Sequence, residues 1–513
     1  MHPMRLARLP TRAVCVRCAS RLGNARARGL STSSSSSTSS STSSSTSASL
    51  THPPPPRVAI IGSGPAGFYA AGKMLKDEPA LRVDMYEALP VPYGLVRYGV
   101  APDHPEVKNC TSRFTEIASD PRFTFIGNLR IGADVPLHSL QTHYSALLLA
   151  YGAARDRRLH IPGEDLQGVY SARDFVAWYN GHPSASSLSP LLDAPDAVVI
   201  GQGNVALDVA RILLSPVDAL RRTDMPEYAL QALAESRVRN VRLVGRRGVM
   251  QAAWTIKEVR ELLTLEGAGV VPVPRAMLPE NTKVLPRAQR RIADLLVKHT
   301  AEPAPGDRVA RLDFLRSPVE LRPDNASLGR VGSVKFQVNE YVPGADPLDP
   351  SARVQAVDAP EEVVPANAVF RSIGYAAEPI AGLDEAGVGF DGRRGLIPNA
   401  EGRVKGPGGE EVGGVYVAGW VKRGPTGVIA STMADGFASA DTVVNDLRAG
   451  LGLGGTGLGW EGVRKEVEGK GVMWTGWREW EAIDEVERER GKALGKEREK
   501  IVDIEEMLRV AGR

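Results

Sequence analysis

The 513-residue chain contains only three cysteines, 6% aromatic residues and no uninterrupted apolar run near the roughly 18 residues that a bilayer-spanning helix requires. The best candidate, around Ala146-Leu-Leu-Leu-Ala150, is short and strand-like, so a membrane-spanning helix is not expected. Cys15 and Cys18 have the C-x-x-C spacing of redox and zinc sites, but no second Cys or His pair lies nearby at zinc spacing. Cys110 is the only other thiol, so a dithiol mechanism in the body of the chain has no partner residue and no metal site is expected. Acid is missing from the N-terminus: no Asp or Glu precedes Asp77, while the first 56 residues hold seven arginines and Ser31 to Leu50 hold 18 Ser or Thr. Arg-rich, Ser-rich and acid-free together are the composition of an organelle transit peptide, with the mitochondrion favoured over a Ser-rich tail without an address. Without those arginines the formal charge falls from +3 to -4, so the body is mildly acidic and nucleic-acid binding finds no support in charge.

Pro53 to Pro56 close the leader, and Arg57-Val-Ala-Ile-Ile-Gly62 follows as a short apolar run ending in a glycine turn, which predicts a buried parallel strand opening a β-α-β unit. Ala197-Val-Val-Ile-Gly201 is a second such start. The pattern predicts an α/β protein with two Rossmann-like dinucleotide-binding domains, the second inserted into the first. The expected boundaries are a leader over 1-56, the first domain over 57-152, the insert over 153-368, and the first domain resumed over 369-513 with a helical tail. Gly450 to Gly459 reads as a flexible Gly/Leu linker, and Trp480 to Arg509 as surface helices.

In the first start, Gly62 permits the turn, Gly64 lets backbone approach a pyrophosphate and Gly67 allows close helix-strand packing. Glu87 ends the next strand twenty residues after Gly67, placed to bond ribose hydroxyls. A carboxylate repels a 2'-phosphate, so this site suits FAD or NAD. In the second start, Gly201-Gln202-Gly203-Asn204-Val205-Ala206 repeats the loop, but its partner strand ends in Gly245-Arg246-Arg247, forty residues after Ala206. That gap is double the usual one and predicts an inserted helix around Tyr228 to Glu235. Guanidinium groups meet a 2'-phosphate bidentately where an acid would repel it, so this loop points to NADP(H). The bland alternative for each charge is a solvated strand end.

Pro92-Tyr-Gly-Leu-Val-Arg-Tyr-Gly-Val-Ala-Pro-Asp-His-Pro-Glu-Val-Lys-Asn109 resembles the adrenodoxin reductase family, the mitochondrial NADPH:ferredoxin reductases. So do Gly201 to Arg211, Thr255-Ile-Lys-Glu258 and Gly419-Trp-Val-Lys-Arg-Gly-Pro-Thr-Gly-Val-Ile429. The resemblance implies FAD contacts at Ala66, Glu87, Leu95, Ile131, Trp420, Gly427, Val428 and Ile429, beside the loop glycines. It implies NADP contacts at Gln202, Gly203, Asn204, Val205, Arg246, Arg247, Glu258 and Gly427. His104 would lie with Glu258 near the nicotinamide end, positioning flavin or a water, against the commoner reading of a lone structural histidine.

The implied activity is NADPH:ferredoxin oxidoreduction: FAD accepts a hydride from NADPH and passes single electrons to a small acidic [2Fe-2S] ferredoxin. Iron-sulfur cluster, haem, quinone or P450 pathways would be served, by a monomer on the matrix side with peripheral inner-membrane association allowed. From Arg211 to Arg260 there are ten Lys or Arg against five Asp or Glu, and Arg237, Arg239 and Arg242 are the candidate partner face. The alternative is another NADPH-dependent flavoprotein reductase, of the glutamate synthase small-subunit type, although the cysteine clusters of such proteins are absent.

Overall fold

The computed structural model describes residues 55-513, apart from 305 and 328. The presumed transit peptide, with Cys15 and Cys18, therefore lies outside the described residues up to residue 54. Among the described residues, no helix is long and apolar enough to cross a membrane.

The strand Arg57–Ile61 sits inside a seven-stranded sheet, parallel to Arg82–Tyr86 on one side and Ala146–Leu149 on the other. Phe123–Ile126 forms one edge, while Glu411–Val417, from the far end of the chain, adds in parallel to Ala146–Leu149 and is followed antiparallel by Arg403–Lys405 and, at the other edge, Asn399–Ala400. Alternation decides what each side chain meets. Val58 and Ile60 face a core built with Phe68, Met74, Ala440 and Val443, while Ala59 and Ile61 face Val135, Leu137, Val417 and Val463. The first face is covered by the helices Pro65–Asp77 and Ile429–Arg448, which approach closely because Gly436 presents no side chain: a Cβ there would stand 3.0 Å from the Ala66 carbonyl oxygen. Burying a ring such as Phe68, fully enclosed, is worth about 1.5–3 kcal/mol.

The second start repeats the logic. Asp196–Ile200 is central in a six-stranded parallel sheet, between Ala368–Arg371 and Asn240–Val244. Ala197 and Val199 face the helical core with Ala206, Leu207 and Phe370. Val198 and Ile200 face an antiparallel sheet of Arg316–Pro323, Val331–Tyr341, Val354–Ala356 and Glu362–Pro365, through Leu321, Val334, Phe336 and Val364. The inserted helix expected after the second loop runs over Glu227–Ala234.

Three expectations need correction. The boundary at 368/369 falls at the start of a strand that the second sheet keeps, because Ala368–Arg371 bonds to Val169–Ser171 and Asp196–Ile200; return to the first sheet comes later, at Asn399. The chain crosses between the two sheets at Arg155–Asp156 and returns at Tyr375–Ala376, and these segments pair antiparallel as a two-stranded ribbon. The Gly450–Gly459 segment is docked: the amides of Leu453, Thr456 and Gly459 bond the carbonyls of Ser145, Thr142 and His143, and a Cβ on Gly455 would collide with the Tyr144 carbonyl. Its glycines provide close approach.

The tail is likewise more than a surface feature. In the helix Trp477–Ala493, Ile483 and Glu487 are fully buried, and Glu487 pairs with buried Arg97 and accepts the Ile501 amide at 2.9 Å. The segment beyond it then reaches the second layer. Lys500 Nζ lies 3.0 Å from Asp224 Oδ2 and donates to the Asn180 carbonyl, and Lys108 Nζ donates to the same Asp224 carboxylate at 2.7 Å. Lys496 Nζ donates to the Met225 carbonyl at 2.7 Å. Burial, against the opposing pull of Asp224, lowers the Lys500 ammonium to about 7, while the two lysines hold the Asp224 carboxyl far below the usual range despite its burial.

Candidate functional site

In the first loop Gly62 has φ +108°, and a Cβ there would stand 2.6 Å from the Ala150 carbonyl oxygen, so only glycine fits this turn. A Cβ on Gly67 would collide with the Gly62 carbonyl, whereas one on Gly64 would meet nothing within 4 Å. The open space is at the position where a pyrophosphate would approach the start of the helix Pro65–Asp77. Glu87 closes the site: its Oε2 accepts the Ser63 amide at 3.1 Å and the Ser63 hydroxyl at 2.6 Å, and its Oε1 accepts the Leu89 amide at 3.1 Å. A carboxylate fixed against the loop can receive ribose hydroxyls and bars a phosphate.

Beside it lies an apolar mouth. Leu95 is 40% and Val428 52% exposed, unusual for large aliphatic side chains, and Val428 caps the Ile429–Arg448 helix with no side-chain hydrogen bond to its first amides. Gly427 just before it has φ +85°. Trp420 stacks tilted on Tyr375 at 5.8 Å between centroids, and Gly419, with φ +74°, would push a Cβ to 2.7 Å from Ala66. A flat ring with a polar edge fits between these groups, with the free helix amides facing that edge. Ile131 is 5% exposed and packs with Ile126, Leu137 and Leu383, so its side chain serves the core.

The second loop is built alike. Gly201 has φ +139° and a Cβ would collide with the Ser372 carbonyl, while Gly203 is open. Asn204 Oδ1 accepts the Thr255 amide at 2.9 Å, and Ala206 is fully buried where a glycine often stands. Gln202 turns inward, its amide nitrogen donating to the Leu243 and Asp313 carbonyls at 2.7 and 3.0 Å, so the side chain ties strand ends together. Arg246 is exposed and Arg247 half-buried at the end of Asn240–Val244. Among the described residues, Glu258 Oε2 is buried without a partner, an acceptor free for an amide donor.

His104 meets a different acid from the expected one: its Nε2 lies 2.7 Å from Glu261 Oε2, one helical turn beyond Glu258. The cluster around it joins both layers. Arg211 donates to both oxygens of Asp103 at 2.7 and 3.0 Å, stands 3.0 Å from Asp208 Oδ1 without hydrogen-bond geometry, and lies 3.5 Å from Glu261. Burial pushes the Asp103 carboxyl up, but Arg211 outweighs it and holds the group below the usual range. Asp208 goes the other way: burial lifts its carboxyl to about 6 against the opposing pull of Arg211. Sequence reasoning missed Asp103, Asp208, Arg211 and Glu261; the available signal was two charges, at 208 and 211, on the otherwise apolar helix Asn204–Leu214.

Because the folded Asp208 carboxyl titrates near 6 rather than 3.8, the folded chain holds a proton in that window that the unfolded chain has lost. The stability it contributes is complete below pH 3.8 and is lost as pH rises through 6. Asp208→Asn is expected to remove this part of the slope when urea midpoints are measured from pH 4 to 7; an unchanged slope would assign it to another group.

Of the expected partner face, one arginine is engaged within the fold. Arg242 is consumed in ion pairs with Asp313 at 2.6 Å and Glu362 at 3.0 Å, and Arg237 and Arg239 stand at the start of Asn240–Val244, the end opposite the loops. Arg260 on the helix Ile256–Leu263, and Arg287 and Arg291 on the neighbouring Arg287–Lys298, are exposed, and among the described residues none of the three forms an ion pair.

Comparison with known proteins covers about nine tenths of the chain. Residues 56–247 match the family described as pyridine nucleotide-disulphide oxidoreductase. Over 472 residues the chain is 46% identical to the mitochondrial NADPH:adrenodoxin oxidoreductase of Salvelinus fontinalis, covering 89% of this chain and 91% of that protein. It is 44% identical to the Homo sapiens protein of the same name, over 89% and 92%, and 40% identical to that of Arabidopsis thaliana, over 89% and 95%. Among solved structures, FprA of Mycobacterium tuberculosis in complex with NADPH superposes with a TM-score of 0.81 at 38% identity, over 90% of this chain and all of that one.

Proposed function

The chain belongs to the NADPH:adrenodoxin oxidoreductase family, and from that membership we propose that it is a mitochondrial FAD-dependent reductase that draws electrons from NADPH for a ferredoxin. When bound, FAD would supply the conversion between the two-electron hydride chemistry of NADPH and the one-electron chemistry of a [2Fe-2S] acceptor. The observation that carries this reading is the contrast between two glycine loops of one design. One is closed by Glu87, tied to Ser63, and the other ends at Arg246 and Arg247.

The chain's own residues orient and insulate. Gly62, Gly64, Ala66 and Gly67 cradle the flavin nucleotide's pyrophosphate, and Glu87 receives its ribose. Leu95, Trp420, Val428 and Ile429 would seat the ring, and the helix start at Ile429 would supply positive potential beside it. Gly203, Asn204 and Val205 hold the second pyrophosphate, the arginines hold the 2'-phosphate, and Glu258 accepts from the nicotinamide amide. His104 is held by Glu261 and shields the mouth between the two layers.

A small acidic ferredoxin on the matrix side is the fitting acceptor, and the arginines at 260, 287 and 291, which form no ion pair among the described residues, are its docking face. Cytochrome c reduction through added [2Fe-2S] ferredoxin is expected with NADPH and to be slow with NADH. Arg287→Glu with Arg291→Glu should raise the ferredoxin KM at low salt by about tenfold or more and leave ferricyanide reduction unchanged. No NADPH-dependent reduction, or equal rates with the two nucleotides, would overturn the assignment; a ferredoxin KM unmoved by the charge reversal would remove the docking face alone.

A further inference from the structure

The arginine-bearing turn is held by residues that belong to neither nucleotide motif. Gln251, 7% exposed, uses both ends of its amide: Nε2 donates to the Pro347 and Asp349 carbonyls at 2.9 and 2.7 Å, and Oε1 accepts the Gly248 amide at 3.1 Å and the Tyr341 hydroxyl at 2.9 Å. The loop gathered in this way touches an arginine directly. Arg247 donates through one terminal nitrogen to the Pro350 carbonyl at 3.1 Å and through the other to the Gln251 carbonyl at 3.4 Å. The neighbouring backbone is pinned as well: Asn339 Nδ2 donates to the Arg246 carbonyl at 2.9 Å, and the Leu315 amide to the Arg247 carbonyl at 3.1 Å. Gly248 must lack a side chain, because a Cβ there would collide with the Tyr341 hydroxyl.

The same loop carries Asp346 and Asp349, acids that would compete with a phosphate for the guanidinium. Both are turned back on their own backbone: Asp346 Oδ1 accepts the Leu348 amide, and Asp349 Oδ1 accepts the Ser351 amide and hydroxyl, each at 2.8 Å. Arg247 is therefore bonded to neutral carbonyls, which orient it without neutralising it. An arginine left free in solvent would lose rotamer entropy on meeting a phosphate, and a pre-oriented one loses less.

We propose that Gln251 is a positioning residue for nucleotide selection, acting through Tyr341 and the Pro347 to Pro350 loop to hold Arg247 ready for a ribose 2'-phosphate. The proposal rests on the reading of Arg246 and Arg247 given above and deepens it: part of the preference for NADPH resides in side chains that do not touch the nucleotide.

The test is equilibrium binding to the holoenzyme, by calorimetry, of adenosine 2',5'-bisphosphate and of adenosine 5'-monophosphate, which differ only in the 2'-phosphate. Gln251→Leu, close in size but without donors, is expected to weaken the bisphosphate by about five- to twentyfold and leave the monophosphate unchanged. Tyr341→Phe should shift the ratio the same way by about twofold, and carries the test if Gln251→Leu does not fold. In an Arg247→Ala background, Gln251→Leu should have no further effect. Equal weakening of both ligands, an unmoved ratio, or an effect that persists without Arg247 would each overturn the proposal. A ratio unmoved by Arg247→Ala itself would sink the underlying reading together with it.

Discussion

Replacing both Arg246 and Arg247 with alanine is expected to lower kcat/KM for NADPH by about 100- to 1000-fold while the value for NADH stays within about threefold. The size follows from what is removed. Charge-assisted bonds to a phosphate are worth about 1.5–3 kcal/mol each, and two arginines therefore account for about 3–4 kcal/mol once their mutual dependence is allowed for. At about 1.4 kcal/mol per factor of ten, that is two to three decades. NADH lacks the group they meet, so it has little to lose, and relief of like-charge crowding can even help it. The flavin spectrum should be unaltered, because the first loop is closed by Glu87 and lies in the other layer. Steady-state rates with both nucleotides decide the matter; a preference for NADPH that survives the double substitution would remove the distinction between the two loops on which the functional reading stands.

Glu487→Leu is expected to cost about 3–5 kcal/mol of stability, a large loss for a single side chain. Glu487 is fully buried and Arg97 nearly so, and removing one partner leaves an uncompensated charge where water cannot reach it. Arg97 is further enclosed by Tyr98 and the Trp480 ring, 5.0 and 5.2 Å from its guanidinium carbon, which favour the cation and offer no counter-ion. Glu487 also accepts the Ile501 amide, so the segment that carries Lys500 into the second layer would loosen at the same time. The double variant Arg97→Met with Glu487→Leu separates these causes. It removes the stranded charge but not the lost amide acceptor, and its urea midpoint should fall between the single variant and the native chain. A double variant no more stable than Glu487→Leu would place the cost in the tail's backbone contact alone.

What could be read beforehand was whatever is encoded over short separations. The runs Val58 to Ile61 and Ala197 to Ile200 are apolar on both faces because each strand is covered on both sides, and the glycines after them are required by backbone within a few residues or one strand away. Arg246 and Arg247 were legible for the same reason. The cluster of Asp103, His104, Arg211 and Glu261 was not, because the bonds from Asp103 to Arg211 and from His104 to Glu261 each span more than a hundred positions and no local pattern links them. Composition misled where it stood in for contact: Gly450 to Gly459 reads as slack chain, yet its glycines let backbone lie against Thr142 to Ser145. Arg242 was misjudged similarly, since the acids that occupy it come from strands far along the chain.

The ribbon formed by Arg155–Asp156 and Tyr375–Ala376 bears on how such a molecule can arise. Everything between those segments enters and leaves through one doorway two strands wide, and Arg157 and Gly374 are already joined there, amide to carbonyl, at 3.2 Å. A cassette with adjacent ends can be spliced into a host, or lifted out of it, without rethreading the strands on either side. The order of the host's seven strands is indifferent to what hangs beyond the doorway, so the length of the cassette can change without altering the sheet that holds it.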